Sequence, residues 1–457
     1  MTDRLPVIAL VGRPNVGKST LFNRLTRTRD ALVADLPGLT RDRQYGFARV
    51  GGRRFVVVDT GGLGPEAGDS LAALAEGQAR LAIAEADHVL FLTDFQAGDA
   101  AADHDIAAQL RSAGRPVTVV VNKSEGRDAG VAVAEFHGLG LGHPVAISAE
   151  HGHGISDLVD TVLADVLPDE DGDEEAVDED AQAPVRVAII GRPNVGKSTL
   201  VNRLLGEERV LAADYPGTTR DSIRVRFDYL GVDYELIDTA GIRRRAKVQD
   251  GIERFSVIKS LQAIDAADAT VVMVDARDTI GVQDARILGL AAQHGRGIVL
   301  AVNKWDGMDE HDRKEARRLV DHKLPFLDYV PLHFISAKHG SGLRELMRDV
   351  RRVRESARCE LSTPELNKVL EQAVHAHAPP AILGRRIKLR YAHQGGRNPP
   401  RIVIHGNQVQ RLSADYKRYL VNRFRAAFKL VGVPIALEFR SGENPYAKGQ
   451  GGARSRR

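Results

Sequence analysis

The chain is almost without cysteine. Its single copy among 457 residues, Cys359, excludes an internal disulfide, and no Cys/His spacing resembles a zinc site. A reducing, cytoplasmic setting fits. Also missing is any apolar run near the ~18 residues needed to cross a bilayer, so no membrane span is expected. The apolar part of the N-terminal "MTDRLPVIALVGRP" is too short for a signal peptide, and the chain is expected to begin with its first domain. Nor does one sign of charge dominate overall, with 64 Lys+Arg against 61 Asp+Glu. What is present is a 43% hydrophobic fraction, enough for real cores, in a chain long enough for roughly two to four domains.

The strongest feature is a repeat. "GRPNVGKSTL" stands at Gly12–Leu21 and again at Gly191–Leu200. "DLPGLTRD" at Asp35–Asp42 matches "DYPGTTRD" at Asp214–Asp221, and "VVDTGG" at Val57–Gly62 matches "LIDTAG" at Leu236–Gly241, all at one constant offset. "VVNKSE" (Val120–Glu125) matches "AVNKWD" (Ala301–Asp306), and "ISAEHGHGI" (Ile147–Ile155) matches "ISAKHGSGL" (Ile335–Leu343), with slightly longer offsets. Five matches in one order imply two homologous domains whose loops absorb the insertions. Each copy alternates short Val/Ile/Leu runs with helical patterns, as expected of parallel strands buried on both faces. Most motifs directly follow such runs, where open α/β sheets bind ligands. The expected fold is therefore α/β: two tandem, doubly wound, mostly parallel sheets over 1–166 and 185–355.

Between them, 167–184 carries "PDEDGDEEAVDEDAQAP", which is acidic, proline-bounded and almost free of large apolar residues, and reads as a flexible tether. From 356 to 445 the motifs are absent. Thr363 is a candidate N-cap with Pro364 at N1. "RRIKLRYAH" and "RIVIHGN" read as strands, and Ser413 caps a helix with Tyr416, Leu420, Phe424, Ala427 and Val431 at helical spacing. "VPIALEF" is a last strand. The order helix–strand–strand–helix–strand implies a small α+β domain, followed by a basic, disordered tail at 446–457. From Arg385 to Arg457 there are 17 Lys+Arg against 3 Asp+Glu. Five of these cations, Lys417, Arg418, Arg423, Arg425 and Lys429, lie on the Ser413 helix. Such clustering is the electrostatic footprint of nucleic-acid binding.

G-x-x-x-x-G-K-S/T between a strand and a helix is a phosphate-binding P-loop. Gly12, Gly17, Gly191 and Gly196 let the backbone turn tightly and aim N–H groups at phosphate oxygens, and the following helix adds its dipole. Pro14, Asn15, Val16 and Thr20 complete the first loop, and Pro193, Asn194, Val195 and Thr199 the second. Lys18 and Lys197 would reach the β- and γ-phosphates, and Ser19 and Ser198 would bind Mg²⁺. Asp59 and Asp238 end apolar strands where a carboxylate holding Mg²⁺ through water is expected. Gly62 and Gly241 would set a backbone N–H against the γ-phosphate, and Thr40 and Thr219 would complete the metal shell. Loops held by γ-phosphate and Mg²⁺ collapse after hydrolysis, which makes a switch.

The base is chosen by N-K-x-D, whose carboxylate accepts from two guanine N–H groups that adenine lacks, while the Asn meets the other edge. Asn303, Lys304 and Asp306 supply it, with Ser336 and Ala337 in a supporting loop whose backbone N–H would meet O6. In the first copy the set is Asn122, Lys123 and Glu125, with Ser148 and Ala149. Glu125 keeps the charge on a longer arm and is expected to work. Failure would lose charged hydrogen bonds of about 1.5–3 kcal/mol each. GTP and GDP are thus the expected ligands.

With these motifs in place the chain resembles the TRAFAC class of translation-associated GTPases, and most closely the double-Era-like family, Der or EngA. That resemblance implies a KH-like C-terminal domain and a role in assembling the large ribosomal subunit on its rRNA; the chain is expected to be a monomer. The glutamine that follows D-x-x-G in Ras-like enzymes is replaced by Leu63 and Ile242, so intrinsic hydrolysis is expected to be slow. The resemblance implies a substitute, K⁺ near the phosphates held by Asn15 and Asn194; the alternative is that these residues only shape the loop. Arg243–Arg245 read as a solvated or RNA-facing patch rather than a catalytic finger. "QGGRNPP" is not the GXXG loop of an ordinary KH domain, so shape and phosphate recognition, or a protein-facing surface, is expected instead. Two further readings stand beside the switch. One is a nucleotide-loaded, non-catalytic scaffold. The other is a tRNA-modification GTPase, although Cys359 is far from the C-terminal position that such chemistry needs.

Overall fold

In the computed structural model the apolar runs become strands in which nearly every side chain is buried. The structure describes residues 5–26, 44–60, 80, 82–166, 183–207, 224–237, 257–278, 281–323, 328–382 and 385–441. Most of the acidic linker, the basic tail and the two P-G-x-T-R-D loops lie outside them.

The first repeat runs β1 (Val7–Val11), α1 (Lys18–Thr26), β2 (Gln44–Val50), β3 (Arg53–Asp59), β4 (His88–Asp94), α2 (Ala101–Ala113), β5 (Val117–Asn122), α3 (Ala129–Val133), β6 (Val145–Ala146) and α4 (Ile155–Val166). All five residues of β1 and all seven of β4 are buried, as strands covered on both faces must be. The sheet order is β2-β3-β1-β4-β5-β6. Only the edge pair β2/β3 is antiparallel. The order reverses at β1, so the loop leaving β1 opens at the switch point where doubly wound sheets bind ligands.

The second repeat copies this: β7 (Val185–Gly191), α5 (Lys197–Glu207), β8 (Val225–Tyr229), β9 (Val232–Ile237), α6 (Val257–Ala266), β10 (Ala269–Asp275), α7 (Val282–Gln293), β11 (Gly297–Asn303), α8 (Glu310–Lys323), β12 (Leu332–Phe334) and α9 (Leu343–Arg358). Its order is β12-β11-β10-β7-β9-β8. The expected strands "VAISA" and "HFISA" are shorter than their apolar runs. Each breaks into a loop closed by an isolated bridge, Ser148 to His153 and Ser336 to Ser341.

The C-terminal domain adds α10 (Thr363–Ala376), a short hairpin β13 (Ala381–Ile382) and β14 (Arg385–Arg386), then β15 (Lys388–Gly396), β16 (Arg401–Asn407), α11 (Ala414–Phe428) and β17 (Ala436–Ser441). The three longer strands form a sheet in the order β15-β16-β17. The expected element order is present, except that the expected strand "RRIKLRYAH" breaks at Ile387 and its first two residues pair in the separate hairpin. The first cap moves by one residue: Ser362, not Thr363, is the N-cap of α10. Ser413 caps α11 as expected, its hydroxyl accepting from Tyr416 N at 3.3 Å. Tyr416, Leu420 and Phe424 are its buried stripe, but Ala427 is exposed. The helix stops before Val431 because Lys429 takes a left-handed φ of 51°.

By packing, the chain divides into two compact units, one built mainly on the first repeat and one joining the second repeat to the C-terminal domain. Within the second unit the expected boundary at 355/356 falls inside α9. That helix buries Leu343, Leu346, Met347, Val350, Val353 and Ala357 along one stripe, the i, i+3, i+4, i+7 pattern of an amphipathic helix. A single apolar cluster continues from Leu236 and Val299 through Val353 to Leu366, Ile404 and Phe424. Backbone bonds reinforce the seam: Ile298 N donates to Gly432 O at 2.7 Å, and Gly432 N to Tyr329 O at 2.9 Å. Arg425, counted above among the cations of a nucleic-acid face, turns inward. Its guanidinium lies 4.1 Å from the Tyr329 ring centroid and donates to Val433 O at 2.6 Å. Burial lowers its pKa.

Candidate functional site: two phosphate loops and their base pockets

Both P-loops leave the C-terminal end of a central strand and enter a helix. Gly12 and Gly191 are required there by close approach as well as by turning. A Cβ on either would lie 2.4 Å from a carbonyl of the neighbouring strand, Leu92 O or Met273 O. Asn15 and Asn194 have φ of 65° and 64° and are exposed. Asn tolerates this left-handed geometry better than most residues, so shaping the loop accounts for them as they stand. Val16 and Val195 are buried anchors of the loop, while Thr20 and Thr199 are exposed.

Lys18 Nζ donates to Gly12 O at 2.9 Å and to Arg13 O at 2.5 Å. Lys197 repeats this with Gly191 O at 2.9 Å and Arg192 O at 2.6 Å. An ammonium has three donors, and each lysine spends two of them clasping its own loop. Burial pushes the Lys18 pKa down to about 8, with the charge of Asp59 opposing. A cation desolvated in this way is stabilised by an anion placed against it.

Ser19 Oγ donates to Asp59 Oδ2 at 2.8 Å, which unites the first pair of expected metal ligands. Asp59 is opposite Leu10 in the register of β1 and β3, and Thr60 Oγ1 ties the strand end to Leu10 O at 2.8 Å. A hydroxyl and a carboxylate at a helix start suit Mg²⁺, a hard ion that takes one or two protein oxygens beside phosphate. In the second repeat Ser198 is half-buried. Asp238 lies outside the described residues, as do Thr40, Thr219, Gly62, Gly241, Leu63, Ile242 and Arg243–Arg245.

The base-recognition strands end in register. Asn122 is paired with Asp94, and Asn303 with Asp275. Lys123 and Lys304 take φ of 64° and 67°, turning their side chains back. Lys123 Nζ meets Asp94 Oδ2 at 2.6 Å, and Lys304 Nζ meets Asp275 Oδ2 at 2.5 Å. The asparagines carry a second task. Asn122 Nδ2 donates to Val16 O at 2.9 Å, and its Oδ1 accepts from Ala149 N at 2.9 Å. Asn303 does the same with Val195 O at 2.7 Å and Ala337 N at 2.9 Å. Each amide therefore bridges the P-loop and the supporting loop, and does so with only one of its two N–H donors. The Ala149 and Ala337 N–H groups, candidates for guanine O6, are held by the same contact.

The carboxylates separate the two pockets. Asp306 is bonded by the Ser336 hydroxyl, which lowers its pKa, with His339 and Arg277 adding to the effect. His339 Nε2 lies 3.4 Å from Asp306 Oδ2. Glu125 Oε2 is buried without a hydrogen-bond partner. It is an acceptor of the kind that two guanine N–H groups would satisfy.

Two braces escaped the sequence reading. Arg13 binds Asp103 with two bonds of 2.7 and 2.8 Å. In the second repeat Arg192 binds Asp284 at 2.8 Å. Both aspartates are essentially buried, at 0% and 1% exposure, so each P-loop is pinned to the helix after the fourth strand. The signal lay in the repeat: Asp94 and Asp275, and Asp103 and Asp284, recur at the spacing of the N-K motifs. Cys359 ends α9 half-buried, and burial raises its thiol pKa, the opposite of an activated nucleophile.

The family model described as 50S ribosome-binding GTPase matches residues 7–123 and 186–304. The KH-domain-like model of EngA bacterial GTPase enzymes, C-terminal, matches residues 360–440. Among curated proteins, GTPase Der of Thioalkalivibrio sulfidiphilus is 58% identical over 444 residues, covering 97% of this chain and 95% of that one. GTPase Der of Halorhodospira halophila is 57% identical over 441 residues, covering 96% and 93%. A solved structure of Aquifex aeolicus Era aligns at 19% identity over 75% of this chain and 98% of that one, with a TM-score of 0.32. That last match is too loose to carry an argument.

Proposed function

This chain belongs to the GTPase Der (EngA) family, and from that premise we propose that its two GTPase sites are switches that time the docking of the KH-like domain on rRNA during assembly of the large ribosomal subunit. The chain acts as a monomer in the cytoplasm. One observation carries the reading. Strand β11 begins at Gly297 and Ile298, against Gly432 of the KH-like domain, and ends at Asn303, which braces the second P-loop. A rearrangement of the second nucleotide pocket thus reaches the basic domain through a single strand of seven residues.

Lys18 and Lys197 release their loop carbonyls to bind β- and γ-phosphate oxygens. Ser19 with Asp59, and Ser198 with Asp238, would hold Mg²⁺, which would supply charge stabilisation to the phosphates. Thr40, Thr219, Gly62 and Gly241 sense the γ-phosphate. Glu125 and Asp306 accept from the guanine N–H groups, and the asparagine braces keep each base pocket aligned with its phosphate loop. Asn15 and Asn194 would hold K⁺, which would offset charge developing in the transition state. Leu63 and Ile242 have no group with which to orient water, so turnover is slow and rises in K⁺.

The test is GTP turnover and co-sedimentation with the large subunit for wild type, Lys18→Ala and Lys197→Ala, in K⁺ and in Na⁺. Turnover higher in K⁺, together with nucleotide-dependent binding, is expected. No turnover in either salt, or binding indifferent to nucleotide, would overturn the coupled switch and favour a nucleotide-loaded scaffold.

A further inference from the structure

One face of the KH-like sheet packs on its helices, with Ala392, Ile402 and Ile404 in the core and Leu437 and Phe439 against it. The opposite face carries three rings. Tyr391 and His393 alternate along β15, and His405 is paired with Tyr391 across β16. The centroids of Tyr391 and His393 are 5.3 Å apart, of Tyr391 and His405 5.1 Å, and of His393 and His405 5.2 Å. The planes diverge by only 19° to 31°. Three centroids at nearly equal spacing form a triangle, not a column, so the rings make a small tile of π surface. All three are half-buried.

The chemistry around the tile has a direction. Arg440, in register with His405, keeps 56% of its side chain exposed and is bonded to Glu438 at 2.7 Å. Lys388 and Arg390 on β15 are exposed. Among the described residues His393 Nδ1 and His405 Nε2 are buried without a hydrogen-bond partner, so one nitrogen of each imidazole is unsatisfied. Burial lowers both histidine pKa values; His405 and then Arg440 add to it at His393, and Arg440 adds to it at His405, against the opposing pull of Glu438. At neutral pH the tile is therefore uncharged π surface flanked by cations.

We propose that Tyr391, His393 and His405 form a stacking platform for unpaired bases of single-stranded RNA, with Arg440 and its neighbours on the phosphates. Aromatic rings beside cations on a sheet face are a general means of holding unpaired nucleotides, and the stacking is tolerant of sequence. This platform deepens the RNA-contact reading above and rests on it. It locates the contact on the sheet face itself, next to the "QGGRNPP" connection that leaves β15, and not at Arg425, which is turned into the seam.

The experiment uses the full chain and a fluorescein-labelled 12-nucleotide uridine RNA containing one 2-aminopurine. In the wild type, binding should quench 2-aminopurine. His393→Ala with His405→Ala should weaken affinity by about tenfold and remove the quenching, without changing the slope of log K against log salt. Arg440→Gln should lower that slope by about 0.7, and His393→Phe with His405→Phe should keep the quenching that the double alanine variant loses. Unchanged affinity in the double alanine variant, loss of quenching in the double Phe variant while it binds nucleotide normally, or equal competition by polyglutamate would overturn the platform. If the double alanine variant binds RNA like the wild type but the wild type still co-sediments with the large subunit, only the platform fails. Loss of wild-type co-sedimentation would instead sink the ribosome reading.

Discussion

Asn122 stands so close to Gly17 that a Cβ on the glycine would lie 2.2 Å from the Asn122 Nδ2, and Asn303 stands at the same 2.2 Å from Gly196. The glycine of each P-loop is thus dictated partly by the asparagine of the base motif. In return the asparagine ties the P-loop to the supporting loop.

A residue that only read the base would leave the nucleotide-free protein undisturbed when removed. A brace would not. Asn303→Ala should lower the melting temperature of the nucleotide-free protein, because two buried backbone groups lose partners at about 1–3 kcal/mol each. It should also abolish GDP binding at the second site while the first still binds. Scanning calorimetry without nucleotide checks this, and an unchanged transition would return the asparagine to the base.

That relationship marks the limit of what the repeats could reveal. The P-loops, the strand ends carrying Asp59, Asn122 and Asn303, and the helix–strand order of the last domain were legible because each is a local pattern with its own chemistry. The Arg13–Asp103 and Arg192–Asp284 braces were written in the repeat as well. They went unread because a lone Asp on a surface-length helix resembles any solvated acid until the fold brings it to an arginine. The inward turn of Arg425 was illegible for a different reason. Five cations on one helix look alike in sequence, and only the seam with Tyr329 separates one from the others.

Asp268 is 1% exposed between β7 and α9. Its carboxylate accepts from Arg186 N at 3.0 Å and meets Arg186 at 3.3 Å and Arg358 at 2.9 Å. Burial by itself would raise its pKa, but the two arginines and the backbone bond outweigh burial and hold it below the ordinary value. A depressed carboxyl stabilises the fold above its unfolded pKa of about 3.9 and loses that contribution as pH falls through the folded value. Asp268→Asn should therefore cost about 2 kcal/mol at pH 7. That is less than a fully buried pair, because Arg186 and Arg358 keep 32% and 38% of their side chains in water. The deficit should shrink toward pH 3. Urea unfolding at both pH values tests the sign.

Gly432 carries the seam at φ 67°. A Cβ there would lie 2.3 Å from Val353 Cγ2 and 2.7 Å from Ile298 O, one a side chain and the other a backbone atom. Gly432→Ala should destabilise the second unit by about 1–3 kcal/mol, and adding Val353→Ala should recover only part of the loss, since the carbonyl cannot retreat. Nucleotide binding at the first site should be untouched. Full recovery in the double variant would mean that the backbone contact is not limiting.

Trp305 is the protein's one tryptophan, and it lies between Lys304 and Asp306 of the second base motif. Its ring centroid is 4.2 Å from that of Phe334, and the guanidinium carbons of Arg313 and Arg317 lie 5.5 and 5.6 Å from it. Indole emission responds to nearby charge and packing, so intrinsic fluorescence should report the second nucleotide site and be silent to the first. GDP titration should change the emission of wild type and of Lys18→Ala alike, and leave Lys197→Ala unchanged. A response lost in Lys18→Ala would mean that occupancy of the first site reaches the second base pocket. Equal loss in both lysine variants would make the two sites one cooperative binding event rather than two switches.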